Sequence, residues 1–440
     1  MSTTRAVRAR FILTPQGLLE DAALVVEGDE IAEVGQDTPS NAAVEDWGNV
    51  ALVPGTVNAH GHAFQNLFKG FADDRTFASW RDDVLYPFSE GLDTEAIYAG
   101  ALFAFAEALR AGVTTTTDFF YLHDDGNENA EAVIRAAHDA GIRLVFGRAF
   151  YDLDAPTQAP KRYREDPHDA AARTRELAAR YEADPLVSVQ PAPHSLHAAS
   201  PETIAIARDL AAELGTPWHL HLAEAHYEID LIQERFGTTP VRLLARHGLL
   251  DERLVAIHAV WLDDEELDLL AESGAAVVHC PGANAFLGDG IARLDELLAR
   301  GIRVALGPDG GCANNRQSVF DEMRLASLLV KARLADGSAF DAQRAFALGT
   351  SAGADLLGSS AGLIAPGRPA DLVALDLDDL SLHPLKTFEK QLVNSMQPTA
   401  IAKVMVAGDV VAERGIPTRI DLDELRARIS EISGTWDNRK

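Results

Sequence analysis

The chain has 440 residues, of which 47% are hydrophobic and 24% charged, and its formal net charge at pH 7 is −28. This is the composition of a globular protein with a large core, and the acidic balance argues against nucleic acid and anionic membranes as partners. The two cysteines, Cys280 and Cys312, cannot form a disulfide framework in so long a chain. No apolar stretch approaches the ~18 residues that span a bilayer, so we expect a cytoplasmic protein.

The N-terminal segment has the alternating pattern of short β-strands. Residues 6–34 contain three such runs, with Glu27-Gly28-Asp29 as a turn between two of them. The pattern returns near the other terminus at 370–376 and 404–412, with a hairpin turn at Gly408-Asp409. Because neither end has enough strands to be stable alone, we expect one small β-sandwich built from both termini and packed beside the rest of the chain.

Between the two ends, short apolar runs alternate with helix-length segments. The eight predicted strands are residues 50–59, 113–119, 143–146, 187–193, 217–222, 254–259, 275–280 and 303–306. Predicted helices follow most of them, for example at 93–111, 202–214, 263–272 and 291–299. Ser200 before Pro201 is typical of a helix start, and Gly215 and Gly301 are typical of left-handed helix ends.

Eight strand–helix units predict an α/β fold, a closed (β/α)8 TIM-like barrel, with the small β-sandwich at its side. A doubly wound open sheet is the rival architecture, but the first strand is not followed by a Gly-rich phosphate loop. We therefore expect residues 1–54 to form the N-terminal part of the sandwich and residues 55–360 the barrel. Residues 361–440 would form the C-terminal part of the sandwich plus a terminal helix.

Several predicted strands end at residues that can bind a metal ion or transfer a proton. They are His60 and His62 at the first strand, His221 and Glu224 at the fifth, His258 at the sixth and Asp309 at the eighth. Active sites of such barrels lie where the strands end. Residues two apart in an extended segment face the same way, and catalytic zinc takes about three protein ligands plus an open position. Each motif is weak alone, but the set predicts a metal-dependent enzyme.

The carboxylates and His258 have roles that chemistry suggests. Glu224 lies just past its strand, where it could act as a general acid and base; a carboxylate in the first turn of a helix is the alternative interpretation. His258 would end beside the metal and act on the attacking water. Asp309 could bind the metal and accept a proton, or be a turn residue before Gly310. His219 has the same parity as His221, so spacing does not decide which of the two is a ligand.

These residues stand in motifs that resemble the amidohydrolase superfamily, in its mononuclear deaminase and chlorohydrolase branch. The motifs are Pro54-Gly55-Thr56-Val57-Asn58-Ala59-His60-Gly61-His62, His219-Leu220-His221-Leu222-Ala223-Glu224, Ala256-Ile257-His258-Ala259 and Gly307-Pro308-Asp309-Gly310. The likeness extends over nearly the whole chain. It implies that His60, His62, His221 and Asp309 bind the metal, with His221 and not His219 as the ligand, and that Glu224, His258 and Asp309 are catalytic.

The resemblance also bears on the number of metal ions. Binuclear relatives carry a bridging, carboxylated Lys near the fourth strand, and residues 187–194 contain no Lys. We therefore expect one divalent metal ion, with zinc preferred over iron(II). Such an ion lowers the pKa of its bound water toward ~7. The predicted activity is hydrolysis of a C–N bond in an amidine: metal-bound hydroxide attacks the carbon, Glu224 protonates the neighbouring nitrogen, and ammonia leaves.

The preferred substrate is a small formimino- or guanidino-amino acid, because several segments resemble formimidoylglutamate deiminase. They are His62-Ala63-Phe64-Gln65, Ser79-Trp80-Arg81, Phe120-Tyr121-Leu122-His123 and Pro193-His194-Ser195-Leu196. The predicted substrate-binding residues are Gln65, Trp80, Arg81, Tyr121, His194 and His197. Arg81 could pair bidentately with a carboxylate, whereas His197 stands where that family has a second carboxylate-binding Arg. Aromatic packing for Trp80 and Tyr121, and a surface charge for Arg81, are the alternatives.

Other functions stay open. Asn314-Asn315 and residues 320–326 resemble methylthioadenosine and S-adenosylhomocysteine deaminases, although Ser89 replaces their ribose-binding Glu. A triazine chlorohydrolase or an oxo-purine deaminase is a further alternative without a decisive residue. A non-catalytic scaffold on this fold is the alternative from another class, but such proteins typically lose metal ligands and none is missing. We expect a small-molecule substrate, no nucleic acid or membrane partner, and a homodimer or higher homo-oligomer.

Overall fold

The structure is a computed structural model that describes residues 4–36 and 43–436. Its strands are β1 (Thr4–Thr14), β2 (Gly17–Glu27), β3 (Glu30–Gly35), β4 (Ala43–Asp46), β5 (Val50–Pro54), β6 (Thr56–Asn58), β7 (Val113–Phe120), β8 (Arg143–Phe150), β9 (Val187–Pro193), β10 (Trp218–Leu222), β11 (Leu254–His258), β12 (Ala276–His279), β13 (Arg303–Leu306), β14 (Leu372–Asp376), β15 (Ile401–Val406), β16 (Asp409–Glu413) and β17 (Ile416–Pro417).

The α-helices are α1 (Phe77–Ser79), α2 (Tyr86–Ser89), α3 (Thr94–Arg110), α4 (Glu128–Ala140), α5 (Pro167–Arg180), α6 (Pro201–Leu214), α7 (His226–Phe236), α8 (Pro240–Arg246), α9 (Asp264–Ser273), α10 (Pro281–Leu287), α11 (Leu294–Ala299), α12 (Gly311–Asn314), α13 (Val319–Leu334), α14 (Ala342–Leu348), α15 (Ser351–Leu356), α16 (Phe388–Asn394) and α17 (Leu422–Gly434). A π-helical turn, Trp80–Leu85, joins α1 to α2, and 3-10 turns cover Ala63–Phe68, Lys161–Tyr163, Leu380–Leu382 and Pro398–Ala400. None of the helices in the described ranges is long and apolar enough to cross a membrane.

Eight parallel strands close into a barrel. Strands β6 to β9 form one four-stranded sheet in that order, and β10 to β13 form a second. Backbone hydrogen bonds join the two sheets at both seams. His221 N–H donates to His194 O at 3.1 Å between β9 and β10, and Ala59 N–H donates to Leu306 O at 3.0 Å between β13 and β6. The predicted (β/α)8 barrel is confirmed.

The prediction was wrong about the strand at residues 50–59, which is two strands in two different sheets. The first part, β5, pairs with β1 and β14 at the side of the barrel, and only β6 belongs to the barrel. The chain changes sheets at Gly55, where an added Cβ would lie 2.1 Å from Thr114 Oγ1. The backbone therefore approaches β7 more closely than any other residue type allows. The other seven predicted strands correspond to β7–β13 and differ only at their ends.

The predicted helix signals agree with the structure at α6. Ser200 accepts a hydrogen bond from Thr203 N–H, Pro201 is the first helical residue, and Gly215 ends the helix with φ of +70°. The predicted helix at 291–299 is shorter than expected, because α11 begins only at Leu294.

The two ends of the chain form one nine-stranded sheet, in the order β17-β16-β15-β14-β5-β1-β2-β3 with β4 paired to β1. It has its own cluster of buried apolar side chains, among them Val7, Leu24, Leu52, Leu372 and Met405. Strands from both termini contribute to this core, so the prediction of a single β-domain built from the two ends is confirmed. The domain boundaries after residues 54 and 360 stay a prediction.

The C-terminal helix packs against the barrel. Helix α17 packs on α3, and Trp436 beyond it stacks on Phe88 with ring centroids 5.0 Å apart. Trp436 also contacts Phe68 and Phe71, at 5.3 and 5.7 Å. Phe68 ends the turn that follows His62, and Phe88 lies on α2. The end of the chain thus steadies two segments that line the site described below.

A buried ion pair holds the long loop between β8 and α5. The side chains of Arg148 and Glu165 are 0% and 1% exposed, and Glu165 also pairs with Arg173. Arg148 Nε donates in addition to Asn127 Oδ1 at 3.1 Å. Tyr163, two residues before Glu165, lines the pocket, so this pair fixes one wall of the site.

Removing one partner of this pair should destabilise the fold strongly. Glu165→Ala leaves the Arg148 guanidinium buried without its carboxylate, and we expect the free energy of unfolding to fall by about 3–5 kcal/mol. Chemical denaturation followed by fluorescence measures the change. The control is Glu213→Ala, which removes the partner of Arg175 in a pair whose side chains are 52% and 48% exposed, and it should barely move the unfolding midpoint. Equal effects of the two variants would contradict the prediction.

Candidate metal centre and active site

Polar side chains from four barrel strands converge at the carboxyl ends of those strands. His60 Nε2 and His62 Nε2 lie 3.4 and 3.5 Å from the same oxygen, Asp309 Oδ1. His221 Nε2 lies 3.3 Å from His62 Nε2. Two overlapping sets, His60 with His62 and His221, and His60 with His258 and Asp309, each bring ligand atoms within 4.8 Å of one another. The predicted ligand residues therefore share one place.

Hydrogen bonds at Nδ1 of His62 and His221 leave the lone pair of each Nε2 pointing into the cluster. His62 Nδ1 bonds to Phe119 O at 2.6 Å, and His221 Nδ1 bonds to His194 O at 2.8 Å. Since a carbonyl oxygen only accepts, each Nδ1 carries the ring proton and each Nε2 is left with a lone pair. Neither nitrogen of His60 has a hydrogen-bond partner among the described residues, which a buried imidazole seldom tolerates.

Burial keeps these imidazoles neutral. It is the largest cause that lowers the pKa of His60, His62 and His221, and neighbouring histidines lower the pKa of His60 and His62 further. Neutral imidazole is the form that binds metal ions. Three such nitrogens, one of them on the His60 ring that has no hydrogen-bond partner within the described ranges, and one carboxylate oxygen fit one divalent metal ion. We keep His60, His62, His221 and Asp309 as its proposed ligands.

His219 faces elsewhere. Its Nε2 bonds to Gln190 Oε1 at 2.7 Å, and Gln190 Nε2 donates to Leu357 O at 2.9 Å. The spacing of the two histidines leaves open which of them binds the metal. The hydrogen bond to Gln190 holds the His219 side chain outside the cluster. Gln190 was missed by sequence reasoning because it lies 29 residues from His219 and in another strand.

Glu224 and His258 lie side by side at the edge of the cluster. His258 Nε2 is 3.4 Å from Glu224 Oε1. Burial, followed by the nearby carboxyls of Asp289, Asp309 and Glu228, raises the pKa of Glu224. A carboxyl that keeps its proton beside a metal centre has the form of a general acid. Since α7 begins only at His226, the alternative of a first-turn helix carboxylate does not hold.

The backbone at the strand ends is strained where these side chains turn inward. Ala223, His258 and Asp309 have φ of +52°, +74° and +67°, a region that residues other than glycine seldom adopt. Ala223 precedes Glu224, so each strained residue is or adjoins a candidate catalytic side chain. Such strain concentrates at functional sites.

The six predicted substrate-binding residues all line one pocket above the cluster. They are Gln65, Trp80, Arg81, Tyr121, His194 and His197. Gln65 Nε2 donates to the Tyr121 hydroxyl at 2.8 Å, and Trp80 Nε1 donates to Cys312 O at 3.1 Å. Their roles toward a substrate stay a proposal. Sequence reasoning missed four further lining residues: Phe77, Leu85, Tyr86 and Tyr163.

The outer wall of the pocket is the part formed by Arg81, Tyr86 and Tyr163. Arg81 and Ser89 determine its polarity. The Arg81 guanidinium pairs with Asp82 through bonds of 2.7 and 3.0 Å and lies over the rings of Tyr86 and Tyr227. It is therefore a pocket residue and more than a surface charge. Ser89 is buried, and its hydroxyl lies 2.5 Å from the Tyr163 hydroxyl.

Comparison with known proteins agrees with this fold and site. Residues 51–411 match the model of the amidohydrolase family. A 5-methylthioadenosine/S-adenosylhomocysteine deaminase of Nitratidesulfovibrio vulgaris is 35% identical over 425 residues, which cover 95% of this chain and 93% of the relative. A protein of the same name from Thermodesulfovibrio yellowstonii is 33% identical over 438 residues, 97% of each chain.

Solved structures agree as well. An adenosine deaminase from Xanthomonas campestris with bound zinc superposes with a TM-score of 0.90 at 29% identity over 98% of both chains. An atrazine chlorohydrolase from Arthrobacter aurescens in complex with zinc gives 0.89 at 25% identity over 97% of this chain and 99% of the other. The protein belongs to the amidohydrolase family. The predicted hydrolase of C–N bonds in amidines is thereby confirmed, and the relatives support a hydrolytic deaminase.

His221 and His219 lie on the same strand, but only His221 is a proposed metal ligand. We therefore predict that substituting the two residues has different effects on metal content. We expect purified wild-type protein to hold about one divalent ion per chain, and His221→Gln to lose most of it. His219→Gln, the matched control, should keep the metal, because His219 bonds to Gln190. Mass spectrometry of the metal in folded, desalted protein makes the comparison. Equal metal loss in both variants would remove His221 from the proposed ligand set.

Proposed function

We propose that the protein is a zinc-dependent hydrolytic deaminase that releases ammonia from the amino-bearing carbon of a 6-aminopurine nucleoside. The observation that carries the proposal is the pair Glu224 and His258, 3.4 Å apart, at the edge of the cluster of His60, His62, His221 and Asp309. The names of the relatives, and zinc in the adenosine deaminase neighbour, support it. The formimino-amino acid preferred from sequence has no support among these relatives, and the aminopurine alternative fits better.

Each residue of the site has a separate role in the proposed reaction. A divalent ion held by His60, His62, His221 and Asp309 would make a water molecule nucleophilic at neutral pH. Glu224, whose pKa burial raises, gives a proton to the ring nitrogen beside the amino-bearing carbon, which makes that carbon electrophilic. Asp309 accepts a proton from the attacking water. Asp309 passes this proton to the amino group, which leaves as ammonia, and the proton that remains on the attacking oxygen goes to Glu224. Water and substrate thus yield the oxo product and ammonia, with both carboxyls restored.

The walls of the pocket suit a flat heterocycle. Phe77, Trp80, Tyr86 and Tyr121 line it, and aromatic side chains offer both contact area and ring stacking. Gln65 lines the same pocket, and its hydrogen bond to Tyr121 holds its side chain in place. Its amide group can then contact the edge of such a ring. Closing aromatic rings over a substrate also excludes water from the reacting carbon.

A second candidate substrate is a small formimino- or guanidino-amino acid. Two observations favour it: Arg81 supplies a positive charge in the pocket wall, and Ser89, bonded to Tyr163, replaces a carboxylate that would hold a ribose diol. Both features fit a compact substrate that ends in a carboxylate.

An ammonia-release screen with zinc-loaded protein tests the proposal. The panel consists of adenosine, 5′-methylthioadenosine, S-adenosylhomocysteine, formimino-glutamate and guanidino acids, with chloride release from atrazine measured in parallel. We expect turnover of at least one nucleoside. Turnover of formimino- or guanidino-acids alone selects the second candidate, and chloride release alone selects a chlorohydrolase. A fully metal-loaded protein that turns over nothing in the panel would favour a non-catalytic scaffold.

Glu224→Gln isolates the general acid. The amide cannot deliver a proton, so we expect kcat to fall by about 10²–10⁴-fold while the metal content stays as in the wild type. The matched control is Glu228→Gln on the same segment. Glu228 accepts the Glu224 backbone N–H at 3.2 Å, a contact that a Gln carbonyl can keep, so this variant should retain most activity. Unchanged kcat in Glu224→Gln would exclude Glu224 as the acid.

A further inference from the structure

A pair of buried polar residues contacts His258 on the side away from Glu224. Asn284 lies on α10, and its Nδ2 is 3.2 Å from His258 Nδ1 and 3.5 Å from Asp289 Oδ2. The residues Asn284 and Asp289 are 1% and 5% exposed. Neither belongs to the metal cluster or to the pocket lining. Their contact with the site is through His258.

The polarity of these contacts fixes which ring nitrogen of His258 bears the proton. Burial raises the pKa of Asp289 to about 7, and the hydrogen bond from Asn284 lowers it. The ionised carboxylate only accepts, so Asn284 turns its NH2 group toward it; the reversed amide would place two acceptor oxygens against each other. The same NH2 group donates its second hydrogen to His258 Nδ1. A neutral imidazole whose Nδ1 accepts must carry its proton on Nε2, and a ring that is 1% exposed favours the neutral form.

The pair is held in place by its own backbone. Asp289 N–H donates to Asn284 O at 2.9 Å across the left-handed Gly288 that ends α10. Asp289 O accepts the indole N–H of Trp261 at 2.7 Å, and Trp261 lies three residues beyond His258. The amide and the carboxylate are thus tied to each other and to the loop that follows β11. Within the described residues, Asn284 Oδ1 has no hydrogen-bond partner, so the contacts with His258 and Asp289 alone decide the orientation of the amide.

We propose that Asn284, oriented by Asp289, is a positioning residue that fixes the ring proton of His258 on Nε2 and aims it at the reacting centre. Nε2 is the nitrogen that faces Glu224. His258 then donates a hydrogen bond to the attacking oxygen and does not take a proton from it, which leaves proton acceptance to Asp309. The role of His258 in catalysis rests on the proposed function, but the position of its proton does not.

Neutron diffraction of the metal-loaded protein tests the proton position without any substrate. We expect a deuteron on Nε2 of His258, none on Nδ1, and the ND2 group of Asn284 between His258 and Asp289. A deuteron on Nδ1, with the Asn284 carbonyl turned toward it and Asp289 protonated, would overturn the proposal. Because this readout needs no turnover, it stays decisive even if the protein acts on none of the proposed substrates.

Variants of Asn284 separate polarity from packing on whichever substrate the protein turns over. Asn284→Leu removes the donor at similar volume, and Asn284→Asp replaces it by an acceptor that draws the proton to Nδ1. We expect kcat to fall about 10–100-fold in the Leu variant and further in the Asp variant, with KM and metal content unchanged. If Asn284 only filled space, the closer isostere Asp would be the milder change, and that order would refute the proposal.

A double variant removes the concern that Asn284→Asp merely sets two carboxylates side by side. In Asn284→Asp combined with Asp289→Asn, the charge and shape of the pair are kept while donor and acceptor change places. The variant should fold and bind metal like the wild type, yet stay as impaired in kcat as Asn284→Asp alone. Recovery of wild-type kcat would show that the pair matters for packing and not for the ring proton of His258.

Discussion

The structure depends on one constraint, which is the close approach of buried imidazole nitrogens and a carboxylate oxygen. These atoms face one another at 3.3–3.5 Å. Lone pairs so close repel each other unless a cation lies between them, and burial removes the water that could otherwise intervene. The rings of His62 and His221 cannot turn away, because their other nitrogens are bound to backbone carbonyls. The protein thus holds the proposed ligand set ready for a metal ion.

The same residues close the barrel. At one seam, His221 N–H donates to His194 O, so a proposed ligand residue makes the hydrogen bond that joins β9 to β10. At the other seam, Ala59 N–H donates to Leu306 O and Asp309 N–H donates to His60 O at 3.1 Å. A closed barrel is therefore a condition for the site. The positive φ angles at His258 and Asp309 cost of order 1–3 kcal/mol each, and the buried core around the strand ends is what keeps them there.

The sequence predicted those parts of the site that local pattern determines. Strand-end position and the parity of His60 and His62 suffice to place two ligands on one face, and order along the chain places Asp309 at the last strand. Contacts between distant segments leave no local pattern. Gln190 with His219, Asn284 with His258, and Trp436 with Phe88 are examples, and each needs the closed fold to be seen. The prediction of one strand at residues 50–59 fails for the same reason. Only the neighbouring β7 shows why the chain changes sheets at Gly55.

Substrate choice follows from a division within the pocket. At its inner end, beside the metal cluster, the proposed acid Glu224 would need only a nitrogen next to the carbon that the water attacks, and purine, formimino and triazine compounds all offer one. The outer wall, with Arg81 over Tyr86 and Tyr227 and with Ser89 bonded to Tyr163, meets whatever the amidine is attached to. The segment around Arg81 is enough to suggest that its guanidinium binds a substrate carboxylate. Its pairing with Asp82 and its place over two rings are visible only once residues 77–89 and α7 are folded. Under the proposed function the inner residues could serve any of these compounds, and we expect the residues of the outer wall to decide between a nucleoside and a carboxylic acid.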